Sequence, residues 1–198
     1  MLFYISFLLI FVACDSDSVP IEATSGQALV SYARGFKVFE FDTNYVIVIG
    51  ENRYSFSKNL KNSTYVLSGV TQLQFLKALN EDTSIIGLFD ANYFNDSSIF
   101  SRLAKSEMLN FKQANSPDWE LLVKHSGSIV LGYSSFDLDA LMVKNLNLTI
   151  LPINEFQENH PLGKAEWIKV FGVISGKFSL ADSIFRKIEE RYLAAKGH

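Results

Sequence analysis

The chain has 198 residues, a length that allows one ordinary domain, or one and part of another. Hydrophobic residues make up 48% of it and charged residues 20%, a balance that excludes long disordered or collagen-like segments. A net charge of −3 argues against nucleic acid as a partner, and a single cysteine excludes an internal disulfide and a four-thiolate zinc site.

The N-terminus has the pattern of a targeting signal. Residues 1–13 (MLFYISFLLIFVA) carry no charge, and they are too few for a membrane-spanning helix, which needs roughly 20. We predict that they form a signal peptide. The following VACD resembles a bacterial lipobox, in which the chain is cleaved before a cysteine, here Cys14, that receives lipid. An ordinary signal peptide containing a cysteine, or a buried N-terminal strand, remains as an alternative.

Residues 14–31 are polar at first and lack periodicity, which predicts a lipidated tether. The protein is therefore expected in the cell envelope, anchored to the membrane through lipid and facing the periplasm or the cell surface.

The central part of the chain predicts an α/β fold. Apolar runs at 36–41 and 45–49 flank a short polar loop, a pattern typical of a β-hairpin. Further β-prone and helical runs alternate, which indicates a parallel sheet of about five strands with helices on both faces. The strands are predicted at residues 64–67, 84–89, 108–111, 128–133 and 148–153, and the helices at 72–79, 119–124 and 136–145.

Residues 161–198 predict a helical segment. One apolar stripe at helical spacing consists of Trp167, Ile168, Phe171 and Ile174. A long amphipathic helix is predicted over residues 180–196, about 25 Å in length. Ser179 and Asp182 have the spacing of a capping box at its start.

Ligands of open α/β sheets bind beyond the carboxyl ends of the strands. The predicted loops there supply five candidate ligand-binding residues: Asn92, Tyr93, Tyr133, Ser134 and Glu155. A tyrosine ring can stack on a planar ligand while its hydroxyl forms a hydrogen bond. The alternative is that these aromatic residues are ordinary loop residues.

The sequence holds none of the common catalytic motifs GxGxxG, GxSxG, HExxH or CxxC, so we expect neither an enzyme nor a resident cofactor. The three histidines lie too far apart for a local metal motif. His125 and His160 are instead predicted at helix ends, where a cation or a cap is favourable.

Three segments resemble periplasmic substrate-binding lipoproteins of iron–siderophore and cobalamin ABC importers. They are YARGF at 32–36, HPLGKAEWIK at 160–169 and ADSIFxxIExRY at 181–192. The resemblance covers residues 32–192 and implies the first half of a protein with two α/β lobes joined by one long helix. Residues 32–160 would form the first, ligand-binding lobe, and residues 161–198 would include the joining helix.

The resemblance also implies a partner. In that family a glutamate of each lobe docks on arginines of the membrane permease, and Glu120 occupies the first-lobe position. His125 and Ser126 replace the Pro-Asp pair that usually follows. The alternative is that Glu120 is a plain surface acid.

The expected function is capture of an iron–siderophore, cobalamin or haem-type ligand and its delivery to the permease. Any iron or cobalt would then belong to the ligand. Family chains are about twice as long, so we expect either a truncated sequence lacking the second lobe or a one-lobe derivative. The alternatives are an accessory or degenerate surface lipoprotein without transport activity, and an exported flavodoxin-like enzyme.

Overall fold

The computed structural model describes residues 28–133 and 149–197. Its first sheet is antiparallel, in the order β1 (Lys37–Glu40), β2 (Asn44–Ile49) and β3 (Asn52–Ser57). The predicted hairpin is confirmed, and β3 extends it to three strands. Gly50 makes the second turn possible because its φ of +59° is a conformation that glycine adopts without strain.

The second sheet has five parallel strands in the order β10-β9-β4-β5-β6, as predicted. Its strands are β4 (Tyr65–Leu67), β5 (Ile85–Leu88), β6 (Leu109–Asn110), β9 (Ile129–Gly132) and β10 (Thr149–Pro152). Between β6 and β9, the short strands β7 (Lys112–Gln113) and β8 (Ser116–Pro117) pair with each other.

The described helices are α1 (Val70–Ala78), α2 (Ser97–Ala104), α3 (Trp119–Lys124), α4 (Pro161–Glu166), α5 (Ile168–Ile174) and α6 (Phe178–Lys196). Helices α1 and α3 match their predicted positions, whereas α2 was not predicted. The helix predicted at 136–145 lies outside the described residues. In the part of the chain that the structure describes, none of the helices has the length and apolar character needed to span a membrane.

Both faces of the parallel sheet are buried. Alternate residues of a strand point to opposite faces, so Tyr65 and Leu67 of β4 join one apolar cluster and Val66 joins the other. The first cluster also contains residues of α1, α5, α6 and the antiparallel sheet, and the second contains Leu122 of α3. Helices therefore flank the sheet on both sides, as predicted.

The predicted capping box of α6 is wrong. The helix begins at Phe178 with Lys177 as its N-cap, and none of the described side chains caps it. Ser179 consequently lies inside the first turn. Asp182 forms ion pairs instead, with Lys169 at 3.4 Å and with Arg186 at 2.8 Å.

A buried carboxylate fixes the chain ahead of β1. The backbone N–H groups of residues 31–33 donate hydrogen bonds of 2.7–2.9 Å to the two carboxylate oxygens of Glu166, which is fully buried. Lys169 donates to the same carboxylate at 3.0 Å, and its ammonium group is also buried. Both carboxylate oxygens of Glu166 are therefore satisfied by hydrogen-bond donors of the protein itself.

A second buried glutamate continues this arrangement. Glu158 accepts hydrogen bonds from the backbone N–H groups of Arg34 and Gly35 at 2.8–3.0 Å and from the Trp167 indole at 3.2 Å. We call Glu158 and Glu166 with residues 31–35 the amide clasp. Residues 28 and 29 also contact the folded part, because they pair with β1. The proposed division into signal peptide, tether and lobe stays a prediction.

Candidate functional site

The candidate site lies where the strand order of the parallel sheet reverses. The chain passes from β4 to β5 and β6 on one side, and then returns to place β9 on the other side of β4. Such a switch point leaves a crevice at the carboxyl ends of the two central strands. An open pocket of about 640 Å³ occupies this position. Its walls include Gly69, Thr71, Tyr93, Tyr133, Glu155 and Phe156.

The loop between β4 and α1 forms one rigid wall. The Gln72 side chain accepts hydrogen bonds from the backbone N–H groups of Ser68 at 3.0 Å and Gly69 at 3.1 Å. The Ser68 hydroxyl donates to the carbonyl of Leu131 in β9 at 2.9 Å. Helix α1 and the two central strands are thus joined at the pocket.

Gly69 is required by the close approach of Tyr133. A Cβ atom at position 69 would lie 2.0 Å from the Tyr133 hydroxyl oxygen and 2.8 Å from the adjacent ring carbon. No side chain tolerates such distances, so glycine allows the tyrosine ring to lie over the start of α1.

Tyr133 remains a hydrogen-bond donor at neutral pH. Burial raises the pKa of its phenol, and the negative charge of Glu155 raises it further, outweighing a hydrogen bond with Thr71 that lowers it. The ring also makes an edge-to-face contact with Phe156, with the centroids 5.5 Å apart.

Glu155 contributes a buried carboxylate to the pocket. Only 6% of the residue is exposed, and its Oε1 accepts a hydrogen bond of 2.5 Å from the Thr71 hydroxyl. Its Oε2 is buried and has no hydrogen-bond partner among the described residues. An unpaired buried acceptor costs about 1–3 kcal/mol, which makes this oxygen a candidate acceptor for a ligand's hydrogen-bond donor.

The opposite rim is formed by the loop after β5. Asp90 adopts a left-handed conformation (φ 46°), and its carboxylate accepts a hydrogen bond from the backbone N–H of Ala114 at 3.1 Å. Tyr93 follows in the same loop and is 77% exposed, while Phe156 across the pocket is 55% exposed. Two accessible aromatic rings therefore flank the opening.

The structure brings together three of the five predicted ligand-binding residues, namely Tyr93, Tyr133 and Glu155. Asn92 lines two adjoining depressions instead, and Ser134 lies outside the described residues, as does Cys14. Their roles stay predictions.

Thr71 and Phe156 line the pocket although neither was predicted as a ligand-binding residue. Thr71 belongs to the first turn of α1, whereas the predicted ligand-binding residues all come from loops that follow strands. Phe156 directly follows the selected Glu155, and its exposure is a property of the folded chain alone.

Glu120 lies away from this pocket, on the surface. It belongs to the first turn of α3, whose N-cap Asp118 accepts a hydrogen bond from the backbone N–H of Leu121 at 3.1 Å. The Glu120 side chain is 83% exposed and forms an ion pair with Lys124, at 2.8 Å. Because α3 leads into β9, its first turn lies toward the sheet edge that carries the pocket. Glu120 is therefore accessible to a partner.

The two histidines occupy the helix ends predicted for them. His125 follows α3 directly as its C-cap. His160 caps α4, because its Nδ1 accepts a hydrogen bond from the backbone N–H of Leu162 at 3.1 Å. Within residues 28–133 and 149–197, no cluster of three or more His, Cys, Asp or Glu side chains is placed to hold a metal ion.

Comparison with curated proteins finds one similar lipoprotein. No known protein-family model matches the chain. An uncharacterized lipoprotein of Methanocaldococcus jannaschii is 26% identical over 145 residues, which cover 68% of this chain and 34% of the relative. The chain thus spans about a third of the relative's length.

The similar solved structures include proteins that bind haem or a siderophore and a substrate-binding protein of an iron-uptake ABC transporter. The haem-binding protein HutB of Vibrio cholerae has a TM-score of 0.53, and 68% of this chain covers 49% of it. The triscatecholate siderophore-binding protein FeuA of Bacillus subtilis has a TM-score of 0.53. The match covers 77% of this chain and 50% of FeuA. The iron-uptake protein PiuA of Streptococcus pneumoniae has a TM-score of 0.54. The match covers 79% of this chain and 54% of PiuA.

Each of these proteins is 12% identical to the chain, which spans about half of their length. At this identity the likeness shows the fold alone. The resemblance predicted from the sequence is therefore confirmed for the fold.

Proposed function

We propose that this chain, which shares the fold of about half of a periplasmic binding protein, is the solute-binding component of an ABC importer. It captures an iron–siderophore, cobalamin or haem-type ligand and delivers it to a membrane permease. The observation that supports this most strongly is the open, aromatic-walled pocket at the switch point of the parallel sheet.

The pocket suits one side of a large ligand. Tyr93 and Phe156 offer accessible ring faces, and the Tyr133 hydroxyl and Glu155 carboxylate offer polar contacts between them. Small-molecule sites usually bury 70–90% of a ligand, whereas this pocket is open to solvent on one side. We expect the remaining wall to come from a second lobe, as in the two-lobe proteins with this fold.

Delivery requires contact with the membrane and with the permease. Lipid on Cys14 would hold the domain at the membrane and raise its effective concentration near the permease. Glu120 would dock on permease arginines, and its exposure on α3 makes it available for such an ion pair. Transport of this kind needs differential affinity and docking, and no covalent chemistry.

Ligand-dependent thermal stabilisation tests the binding role. The purified chain is heated with a ferric trihydroxamate, a ferric triscatecholate, cobalamin or haem. A ligand present at 100 times its dissociation constant stabilises the folded state by about 2.7 kcal/mol, which raises the melting temperature by several degrees. Absence of a shift with all four compounds contradicts the proposal.

A pair of matched variants localises the binding. Phe156→Ala removes an exposed ring of the pocket and is expected to abolish the shift. Phe100→Ala removes a similarly exposed ring, 47% accessible, that does not line this pocket, and is expected to retain it. Equal effects of the two variants contradict binding at this pocket.

The docking role is tested by uptake of a labelled ligand into cells. Glu120→Arg places a cation opposite the permease arginines, so uptake is expected to fall to background while ligand binding by the purified protein is unchanged. Glu107→Arg, at another exposed acid, is the matched control. Normal uptake in the Glu120 variant rejects the docking assignment.

A further inference from the structure

The pocket has a marked charge bias. Its two carboxylate side chains are Asp90 and Glu155, and none of the described residues that line it is a lysine, arginine or histidine. The lysine of the adjoining depression, Lys112, already pairs with Asp118 at 3.3 Å. The described lining residues therefore include two acidic side chains and no basic one, an arrangement that disfavours a ligand with several negative charges.

The two carboxylates are not equivalent. Asp90 holds the neighbouring loop through the backbone N–H of Ala114. Oε1 of Glu155 accepts a hydrogen bond from the hydroxyl of Thr71, and Oε2 has no partner among the described residues. The residue is 94% buried, so water does not easily replace the missing donor. Among the described residues of this pocket, Glu155 is therefore the buried carboxylate with an oxygen that lacks a donor.

The aromatic walls favour the same kind of ligand. The faces of aromatic rings carry partial negative charge and attract cations, while their area contacts apolar groups. Tyr93 and Phe156 flank the opening, and Tyr133 contacts Phe156 edge to face beside Glu155. An organic cation is complementary to a carboxylate surrounded by such rings.

We propose that this pocket selects a ligand with a protonated nitrogen, for which Glu155 is the counter-ion and hydrogen-bond acceptor, and which carries an apolar or planar body between Tyr93 and Phe156. The inference rests on the proposed function in taking this pocket as the binding site, and it narrows the ligand to cationic chelates. Polyanionic chelates are discriminated against.

Two chelates that differ in a single charge test the inference. One is a linear ferric trihydroxamate with a free terminal amine, and the other is the same chelate with that amine acetylated. Quenching of the protein's intrinsic fluorescence measures their affinities. The free amine is expected to bind at least 10-fold more tightly.

Glu155→Gln is expected to remove this preference. Glutamine keeps the size of the side chain and an oxygen for the Thr71 hydroxyl, and it removes the charge. Glu51→Gln, at an exposed acid in the turn between β2 and β3, is the matched control and should retain the preference. Circular dichroism and melting temperature establish that each variant is folded.

Each outcome decides the inference separately from the proposed function. Equal affinity for the two chelates, or a preference that survives in Glu155→Gln, overturns the inference and leaves the proposed function standing. If neither chelate binds, 2-phenylethylamine and its N-acetyl derivative are compared by NMR. Binding of the amine alone, lost in Glu155→Gln, supports the inference, and absence of that binding overturns it. The four-compound panel above then decides the proposed function independently.

Discussion

Residues 155–166 contain three buried glutamates, and the fold uses them in two different ways. In the amide clasp, Glu158 and Glu166 accept hydrogen bonds from five consecutive backbone N–H groups, and Glu166 also pairs with Lys169. In the pocket, Glu155 accepts a hydrogen bond from Thr71, and its other oxygen has no partner within residues 28–133 and 149–197. The same residue type is thus saturated in one region and unsaturated in the other.

The difference separates a structural charge from a binding charge. A buried carboxylate is tolerated when its oxygens accept enough hydrogen bonds, and the clasp supplies them from the chain itself. Where the protein leaves one oxygen without a donor, the folded state is less stable than it could be, and such positions concentrate at functional sites. Buried acids in this fold are therefore best judged by their remaining hydrogen-bonding capacity, because burial alone does not distinguish Glu155 from Glu158.

The largest expected effect concerns the clasp. Glu166→Gln removes the charge that faces the buried Lys169 and places an amide donor against backbone donors. Removing one partner of a buried ion pair typically costs 3–5 kcal/mol, so we expect a loss of about that size in the free energy of unfolding. Urea denaturation measures it. Glu155→Gln is the matched comparison, and we expect it to change the free energy of unfolding by less than about 1 kcal/mol. Equal losses in the two variants would remove the distinction between the two regions.

An intermediate effect is expected at the pocket wall. Gly69→Ala places a methyl group against Tyr133, and overpacking of this kind typically costs about 1–3 kcal/mol. The displaced ring should also weaken ligand binding. In the double variant Gly69→Ala/Tyr133→Ala the clash is absent, so its destabilisation should be smaller than the sum of the two single changes. Simple additivity would show that the contact is not the cause.

The smallest effect concerns a carboxylate that is satisfied near the surface. Asp96 caps α2 by accepting hydrogen bonds from the backbone N–H groups of Ser98 and Ile99, and it pairs with Lys77. Asp96→Ala is expected to lower the free energy of unfolding by about 1–2 kcal/mol at neutral pH. Asp42→Ala, at an exposed loop position, should change it by less than about 0.5 kcal/mol.

The contribution of Asp96 to the free energy of unfolding should depend on pH in a defined direction. Hydrogen bonds from Lys77 and Ser98 hold the pKa of the Asp96 carboxyl well below its usual range. A carboxyl with a lowered pKa in the folded state stabilises the protein fully above its unfolded pKa of about 3.9, and that stabilisation is lost as the pH falls further. The difference in the free energy of unfolding between the unmutated protein and Asp96→Ala should therefore decrease below about pH 4. Urea denaturation recorded at several pH values from 7 to 3 measures this difference. A constant difference would contradict the ion pair.

Much of the fold could be predicted because its signals are local. The strands β4, β5, β9 and β10 are short apolar runs, and the structure places each within one or two residues of its predicted bounds. Strand β3 was missed because polar residues dominate its sequence, NRYSFS, and helix α2 was missed because it is short and half of its residues, SSIFSRLA, are polar. The capping box failed because α6 begins one residue before Ser179.

The site was only partly predictable because its contacts join distant residues. Loop positions indicated Tyr93, Tyr133 and Glu155, yet the hydrogen bond from Thr71 to Glu155 spans 84 positions along the chain. The clasp was missed entirely for the same reason, since the glutamates that bind residues 31–35 follow them by 123 to 135 positions. No local pattern in the sequence distinguishes such a glutamate from a surface acid.

The clasp also constrains the order of events during synthesis. A ribosome makes the chain from the N-terminus, at roughly 5–20 residues per second, so residues 31–35 emerge several seconds before Glu158 and Glu166. Until α4 has emerged, their five N–H groups have no carboxylate to bind, and closing so long a loop carries an entropic cost. Protease added to stalled nascent chains should cut this segment until the ribosome has passed α4. The segment of the described fold that is made first is thus among the last to be secured.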